Sequence, residues 1–363
     1  MKMNTQNDTY YRIQTDLEKF PDAWAYIIVG GRNTGKTYGA LSYYLKEDKT
    51  TCFIKRTNDD VDTLSAGNSL GKKSAEYEVD LSPYKAINRD LGTTIKAYKI
   101  KTGLGAFYRT VDNNAAGSPI SYLCSLNAVH KIKGFDMSDA EAMIFDEFIP
   151  QPWERINRRE GEQLMELYKT ISRDRVLRGR KELKLICLAN AVAVWNPTCE
   201  ILELTDTIAD MNIRGKEYFY DEEKRILVHI LKTSNTMKSA EEQTGIYKAL
   251  KDTQWGRMAF GNEFGYNDFS RVGKVALKGY RPICRIDYKM KSWYVYVNEE
   301  NFYISKAPQK CPVVYNLDEE MGARLFYYDM AIDILGAATE GRAMFETYSM
   351  YDLIVNYKSR FKV

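Results

Sequence analysis

The eight residues from Gly30 to Thr37 constrain this chain more than any other feature. They read GGRNTGKT, fit the pattern G-x-x-x-x-G-K-[ST], and directly follow an apolar run, AWAYIIVG (23–30). Glycines let the backbone curl so that successive N–H groups point at phosphate oxygens, and an amphipathic run begins at Lys36, where the mechanism requires a helix. The sequence therefore predicts a strand–loop–helix unit that binds a nucleotide.

Within this unit, two side chains have specific predicted roles. Lys36 would bridge the β- and γ-phosphates, and the Thr37 hydroxyl would ligate Mg²⁺. Arg32 could add charge in cis, although an exposed loop arginine is the alternative. A glycine turn with a chance lysine is the alternative for the whole motif. The predicted nucleotide contacts in the loop are Gly30, Gly31, Arg32, Asn33, Thr34, Gly35, Lys36 and Thr37.

Two adjacent carboxylates follow a second apolar run, AMIFDEF (142–148). Asp146 is predicted to hold the Mg²⁺ shell, and Glu147 to orient and deprotonate the attacking water, so hydrolysis of ATP is the expected reaction. A solvated acidic turn after a buried strand is the alternative. The Asp-Glu pair also favours an ATPase over a kinase, which would need an acceptor-binding site instead.

A third apolar run, LKLICLAN (183–190), ends at Asn190. Because ligands of parallel sheets bind at the carboxyl ends of strands, Asn190 is predicted to hydrogen-bond the γ-phosphate or the attacking water. A turn cap at the strand end is the alternative.

A basic stretch over 171–180 lies between the second and third runs. An arginine donated to a neighbour's γ-phosphate is a large catalytic contribution, and Arg173 is the preferred candidate, with Arg175 and Arg178 behind it. A basic turn that faces solvent or DNA is the alternative for each of them.

The alternation of short apolar runs with amphipathic stretches predicts an α/β fold in the first part of the chain. Strands are expected at 23–30, 51–56, 121–126, 142–148 and 183–190. The predicted organisation is a P-loop NTPase domain over 1–204, a helical linker region over 205–270, and a small α+β domain over 271–363. The last contains a hairpin that turns at Asn298–Asn301, then helices around Met321–Ile334 and Gly341–Arg360.

Composition excludes several classes of protein. Of 363 residues, 52 are Lys or Arg and 49 are Asp or Glu, so the net charge of +3 is not that of a globally basic nucleic-acid coat. Two histidines and six cysteines without a CxxC pair argue against zinc ribbons and disulfide frameworks. No apolar run approaches the ~20 residues that span a bilayer, so we expect an intracellular protein without a membrane partner.

Positive charge is concentrated locally. Residues 271–291 contain seven basic side chains and one acid, and they are candidates for binding nucleic-acid phosphates, with a solvated or protein-docking face as the alternative. Lys131 and Lys133, before the Asp-Glu strand, could grip DNA in a ring pore. The other candidate nucleic-acid contacts are Arg271, Lys274, Lys278 and Arg281.

The set GGRNTGKT, MIFDEF and LANAV…NP resembles the DNA-packaging ATPases (encapsidation proteins) of small podovirus-type bacteriophages, which are related to large terminases and FtsK/HerA translocases. The resemblance implies an ASCE-type P-loop fold and a homopentameric ring at a procapsid portal that drives double-stranded DNA inward with ATP and Mg²⁺. It assigns the roles above to Lys36, Thr37, Asp146 and Glu147, and makes Arg173 the trans-acting finger. The implied location is the host cytoplasm and, transiently, the portal vertex.

The resemblance also implies that the C-terminal domain is a vestigial RNase H fold that binds nucleic acid or the portal. Its acids do not show the pattern of a two-metal nuclease, which needs three or four convergent carboxylates. Some relatives dock on a packaging RNA, and the sequence leaves that partner open. The competing functions are a cellular or plasmid DNA translocase or helicase, and a nucleotide-regulated nucleic-acid-binding module without motor activity.

Overall fold

The computed structural model describes residues 10–66, 81–132, 134–151, 153–154, 157–261, 264 and 267–363. Contacts divide the chain into two compact units. The first comprises Met1–Leu202 and Arg214–Tyr266, and the second comprises Glu203–Ile213 and Asn267–Val363. Among the described residues, no helix combines the length and the apolar character that a bilayer span requires.

Fourteen strands and fifteen α-helices are described. The strands are β1 (Ala25–Gly30), β2 (Thr51–Lys55), β3 (Ile95–Lys101), β4 (Leu104–Val111), β5 (Asn114–Ser125), β6 (Ala142–Asp146), β7 (Lys184–Asn190), β8 (Tyr218–Asp221), β9 (Ile226–Ile230), β10 (Arg281–Tyr288), β11 (Lys291–Asn298), β12 (Asn301–Ser305), β13 (Val313–Asn316) and β14 (Ala343–Phe345). The helices are α1 (Ile13–Lys19), α2 (Lys36–Lys46), α3 (Asn58–Leu64), α4 (Lys85–Leu91), α5 (Val129–Ile132), α6 (Glu160–Ser172), α7 (Pro197–Ile201), α8 (Thr205–Arg214), α9 (Asn235–Glu242), α10 (Gly245–Leu250), α11 (Gln254–Gly261), α12 (Glu320–Phe326), α13 (Ile332–Thr339), α14 (Tyr348–Val355) and α15 (Tyr357–Phe361).

The first unit is built on a nine-stranded sheet with the order β3-β4-β5-β2-β6-β7-β1-β9-β8. Its six central strands, from β5 to β9, pair in parallel, whereas β3, β4 and β8 add antiparallel edges. The central strands are nearly continuous apolar runs because both faces of a parallel sheet are covered, and β1 is buried along its whole length. The parallel arrangement places the carboxyl ends of β1, β2, β6 and β7 at one edge.

The predicted α/β class is confirmed, and the five expected strands correspond to β1, β2, β5, β6 and β7. The strands β3 and β4 are not predicted by the sequence analysis. β3 pairs with β4, and β4 with β5, in antiparallel fashion, whereas the last five residues of β5 also pair in parallel with β2. β3 lies at the edge of the sheet and carries Lys96, Lys99 and Lys101, which is typical of an edge strand, whereas β4 lies between β3 and β5.

The interpretation of residues 205–270 as a linker is wrong. β9 pairs in parallel with β1, and β8 pairs with β9, so this segment completes the sheet of the first unit. All but the last residue of α8 belong instead to the second unit. The segment is polar overall, but Ile226, Leu227 and Val228 of β9 are buried next to β1. β9 has only five residues, and such a short apolar run is hard to recognise inside a polar segment.

The second unit is a five-stranded sheet, ordered β13-β10-β11-β12-β14, with helices packed on one face. The predicted hairpin is confirmed, because Asn298 pairs with Asn301 at the turn between β11 and β12. The helix predicted over Gly341–Arg360 is corrected at its start, since β14 occupies that position and pairs in parallel with β12. This pairing joins residues about forty positions apart, so local periodicity carries no signal for it.

Candidate nucleotide-binding site

The loop between β1 and α2 has the backbone shape that its glycines predict. Gly35, immediately before α2, has φ +81°, and Asn33 has φ +60°. Both values lie in the left-handed region, which glycine adopts without strain and asparagine tolerates. The loop therefore curls around the start of α2, where free N–H groups and the helix dipole favour an anion.

Lys36 lies in the centre of this loop with its ammonium group buried. Its Nζ donates to the carbonyl oxygens of Gly31 (2.6 Å) and Gly30 (3.2 Å), and to Asn190 Oδ1 (3.3 Å) on β7. Burial lowers the pKa of Lys36 to about 8, although the charges of Asp146 and Glu147 act in the opposite direction. The side chain is therefore charged near pH 7 and surrounded by acceptors that a phosphate could replace.

The two predicted Mg²⁺ ligands lie together. Thr37 Oγ1, in the first turn of α2, donates to Asp146 Oδ1 at 2.7 Å, and Asp146 ends β6. A hydroxyl and a carboxylate are hard oxygen ligands, the type that Mg²⁺ prefers beside phosphate groups. The donor set fits this metal, and Thr37 and Asp146 are the residues that would hold it.

Glu147 turns out of the sheet directly after Asp146. Its φ of +56° is uncommon for a residue other than glycine, and its side chain is 66% exposed at the edge of the cleft. A carboxylate in this position is accessible to water, as a general base must be.

Lys55 is a site residue that sequence reasoning missed. It ends β2, next to β6, and its Nζ donates to Asp146 Oδ2 (2.9 Å) and Glu147 Oε2 (3.3 Å). Burial would lower the pKa of Lys55, but the two carboxylates outweigh burial and raise it. The sequence predicts the strand 51–56, and the basic pair Lys55-Arg56 at its carboxyl end is the signal that indicates a site residue there.

Arg56, the next residue, supports the turn at Glu147. Its Nη2 donates to the carbonyl oxygens of Glu147 (2.8 Å) and Phe148 (3.0 Å), and its Nε donates to Glu160 Oε2 at 2.7 Å. Glu160 begins α6 and is 1% exposed, and burial raises its pKa while Arg56 opposes this. Arg56 thus joins β2, the Glu147 turn and α6.

We expect Arg56→Ala to destabilise the first unit by about 3–5 kcal/mol at pH 7.5, because it leaves Glu160 buried without its charged partner. Without Arg56, the folded-state pKa of Glu160 rises further above its unfolded value. The loss is therefore smaller near pH 5, where the folded state can hold Glu160 protonated, and grows as the pH rises. Denaturation midpoints at the two pH values would measure this, with Arg89→Ala, at an exposed ion pair, as the control. Equal losses at both pH values would contradict it.

We also expect ATP to bind more weakly as the pH rises above 8, because Lys36 then loses its proton in the free protein. With a pKa near 8, affinity should fall about tenfold between pH 7 and pH 9. Phosphate favours the charged amine, so binding at pH 9 should take up a proton, which calorimetry in two buffers of different ionisation enthalpy detects. The stability of the free protein should change with pH in the opposite direction. Because the pKa of Lys36 is about 8 in the folded state and 10.5 in the unfolded state, the contribution of this group to the free energy of unfolding rises between pH 8 and 10.5. A constant affinity from pH 7 to 9 would refute the assignment.

The loop residues and the ends of β6 and β7 surround one cleft of about 200 Å³ at the carboxyl edge of the sheet. Of the predicted contacts, the cleft brings together Asn33, Thr34, Gly35, Lys36, Thr37, Asp146, Glu147 and Asn190. Register explains the position of Asn190, because Gly30 and Asn190 are paired across β1 and β7. Arg32 is exposed in the loop and is not one of the residues that line this cleft.

The predicted finger arginines lie elsewhere. Residues 173–183 precede β7 and contact residues that precede β6, so they lie at the amino edge of the sheet, opposite the cleft. Arg173 has φ +36°, is 38% exposed and donates to the Phe135 carbonyl at 2.8 Å. Arg175 is buried and forms an ion pair with Glu141 at 2.9 Å. It therefore has a structural role, and its prediction as a candidate finger is wrong. Arg178 is exposed and paired with Asp174.

The basic stretch of the second unit is only partly available to a ligand. Lys274, Lys278 and Arg281 are exposed, whereas Arg271 is half-buried, with its Nη1 donating to the Gly341 carbonyl at 3.4 Å. Arg271 therefore anchors the loop after α13. Lys133 and the side chain of Lys131 lie outside the described residues, so their predicted role stays a prediction.

Comparison with known proteins identifies the family. The model of the podovirus DNA encapsidation protein (Gp16) family matches residues 7–321, most of the chain. The chain belongs to this family. Its function is DNA packaging, and the sequence-based recognition is confirmed. Membership favours genome packaging over the alternative of a cellular or plasmid translocase.

Solved structures show the same fold along nearly the whole chain. A chain of the bacteriophage Phi-29 viral genome packaging motor assembly aligns with a TM-score of 0.63 and 16% identity, over 98% of this chain and 100% of that chain. A chain of the Phi-28 gp11 DNA packaging motor aligns with a TM-score of 0.56 and 16% identity, over 97% of each. No curated protein matches the sequence significantly. The encapsidation protein thus shares its architecture with two packaging-motor chains.

Proposed function

We propose that this encapsidation protein is an ATPase that couples hydrolysis to the translocation of double-stranded DNA into a procapsid. The observation that carries the proposal is the cleft itself. It gathers a buried lysine, a hydroxyl–carboxylate pair, a solvent-accessible glutamate and Asn190 at the carboxyl ends of adjacent strands. Each group matches one requirement of phosphoryl transfer to water.

Each residue of the cleft has a separate proposed role in ATP hydrolysis. Loop N–H groups and the Lys36 ammonium bind the triphosphate, and Thr37 and Asp146 would hold Mg²⁺, which when bound neutralises phosphate charge. The Glu147 carboxylate orients a water and accepts its proton. Asn190, whose Oδ1 accepts a hydrogen bond from Lys36, is proposed to donate its amide N–H to the γ-phosphate.

A ring of subunits would explain why Arg173 lies at the edge opposite the cleft. In a homomeric ring, which we propose to be a pentamer, one subunit's amino edge can face the next subunit's nucleotide. The turn that follows Arg173 also exposes two apolar side chains, Val176 (67%) and Leu177 (91%), which is typical of a surface that contacts protein. In this arrangement, Arg173 of one subunit is the finger that contacts the γ-phosphate in the cleft of the next subunit.

We expect Arg173→Ala to leave ATP binding intact and to lower DNA-stimulated hydrolysis about 10³-fold, because a finger acts only on transition-state charge. Mixing Arg173→Ala with Glu147→Gln subunits should restore part of the activity, since some interfaces then combine an intact Glu147 with an intact Arg173. ATPase rates across mixing ratios would measure the rescue.

The matched control is Arg178→Ala, an exposed arginine of the same turn, in the same mixtures. Full activity of Arg178→Ala identifies Arg173 as the finger. An absence of rescue at every ratio would count against a site shared between subunits, and an unchanged rate in Arg173→Ala would remove it from the mechanism.

The second unit is proposed to act in binding rather than cleavage, as a vestigial RNase H fold without nuclease activity. Its exposed Lys274, Lys278 and Arg281 suit DNA or RNA phosphates, and such binding would weaken steeply with salt. Two of its acids already have protein partners: Asp329 accepts from the Tyr315 hydroxyl, and Asp318 from the Lys289 N–H. The proposed partners are double-stranded DNA, the portal of the procapsid and, as in some relatives, a packaging RNA. The proposed location is the host cytoplasm and, during packaging, the portal vertex.

A further inference from the structure

The segment before α1 lies directly on the nucleotide loop. Tyr11 N–H donates to the Thr34 carbonyl at 2.9 Å. A Cβ on Gly39 would lie 2.4 Å from the Tyr11 carbonyl oxygen, and a Cβ on Gly35 would lie 3.0 Å from the Tyr10 Cβ. The close approach of this segment therefore depends on the absence of a Cβ at both glycines, Gly39 on α2 and Gly35 immediately before it.

A buried polar cluster fixes this segment in place. Tyr11 Oη donates to Asp16 Oδ2 at 2.7 Å, and the same carboxylate oxygen lies 2.7 Å from His229 Nδ1 on β9. Asp16 is fully buried, and His229 stacks on Tyr218 with ring centroids 4.0 Å apart. Tyr10, which is 55% exposed, directly precedes the anchored Tyr11.

The segment lies on the side of α2 away from the metal ligands. Gly39 is two positions after Thr37, about 200° around α2 from it, and Thr37 faces Asp146. The γ-phosphate end of the nucleotide belongs near Asp146, Glu147 and Asn190. A nucleotide bound in this way directs its nucleoside end away from those groups, and Tyr10 lies on that side of the loop, beside Gly35.

The cleft is lined mainly by groups suited to phosphate and metal, and Tyr38 is its only aromatic lining residue among the described residues. Tyr10 is 55% exposed, and its ring lies beside Gly35, which lines the cleft. A nucleobase presents a π-face of matching size, and stacking on an aromatic side chain stabilises it without base-specific hydrogen bonds.

We propose that Tyr10 is the stacking platform for the adenine base of ATP. The proposal rests on the proposed ATPase function and adds to it the part of the site that recognises the nucleoside. The anchored position of Tyr10 gives such a contact a low entropic cost, because its backbone is ordered before the nucleotide arrives.

The test compares ATP with inorganic tripolyphosphate, both with Mg²⁺, by equilibrium binding to the full-length protein. Tyr10→Ala is expected to weaken ATP binding about tenfold, at the lower end of measured base-stacking effects, and to leave tripolyphosphate binding unchanged. Tyr10→Phe should bind ATP as the wild type does. Tyr328→Ala, at an exposed tyrosine of the second unit, is the control for tyrosine loss in general.

Two results would overturn the inference alone. Unchanged ATP affinity in Tyr10→Ala would show that the base does not use this ring. An equal loss for both ligands would show that Tyr10 shapes the loop instead of stacking. If the wild type binds neither ligand, the proposed ATPase function fails as well, so the two failures are distinguishable.

Discussion

Exchanging Glu147 for glutamine is expected to lower DNA-stimulated ATP hydrolysis by about 10²–10⁴-fold, because the amide has no basic oxygen to accept the proton of the attacking water. The exchange keeps the size of the side chain. Its carbonyl oxygen can still accept from Lys55, which lies 3.3 Å from the Glu147 carboxylate. The turn and the Mg²⁺ ligands are therefore expected to stay in place, and ATP binding to remain intact.

Phosphate release and equilibrium ATP binding, measured on the same preparation with and without DNA, separate the two effects. Glu162→Gln, an exposed glutamate on α6, is the matched control and should hydrolyse at the wild-type rate. If wild-type protein with DNA hydrolyses ATP no faster than Glu147→Gln, the motor function is refuted. A parallel loss of binding would instead make Glu147 a ligand-binding residue.

Replacing Lys36 by alanine is expected to abolish nucleotide binding at working concentrations. Removing one partner of a buried, hydrogen-bonded charge pair costs about 2–5 kcal/mol, which is about thirty- to several-thousand-fold in affinity. Lys36 has carbonyl, hydroxyl and amide acceptors in the structure, all within 3.3 Å, so its ammonium is oriented before phosphate binds.

The same substitution should not unfold the protein. Burial lowers the pKa of Lys36, so the folded chain holds this charge at a cost, and alanine removes the cost along with the contacts. Calorimetry of ATP binding and a thermal melt measure both effects. Lys46→Ala, an exposed lysine on the same helix, is the control. Wild-type affinity in Lys36→Ala would exclude the loop as the phosphate site.

The sequence by itself determined the chemical parts of this site. The loop 30–37, the Asp146–Glu147 pair and Asn190 each directly follow an apolar run, and a strand followed by a polar group is a local pattern. In a parallel sheet such strand ends meet at one edge, so their convergence was predictable before their order in the sheet was known. Turn chemistry and apolar runs act over a few residues, which is why they can be read without the fold.

Only the tertiary structure decided which groups surround those parts. Lys55 contacts Asp146 because β2 is the neighbour of β6, and strand order depends on long-range pairing that local patterns do not encode. For the same reason the sequence did not predict β9, a short strand inside a polar segment that pairs with the distant strand β1. The sequence ranked Arg173 ahead of Arg175 but did not show that their surroundings differ. Packing buries Arg175 against Glu141 and leaves Arg173 38% exposed, because burial depends on what α6 and the loop before β6 pack against.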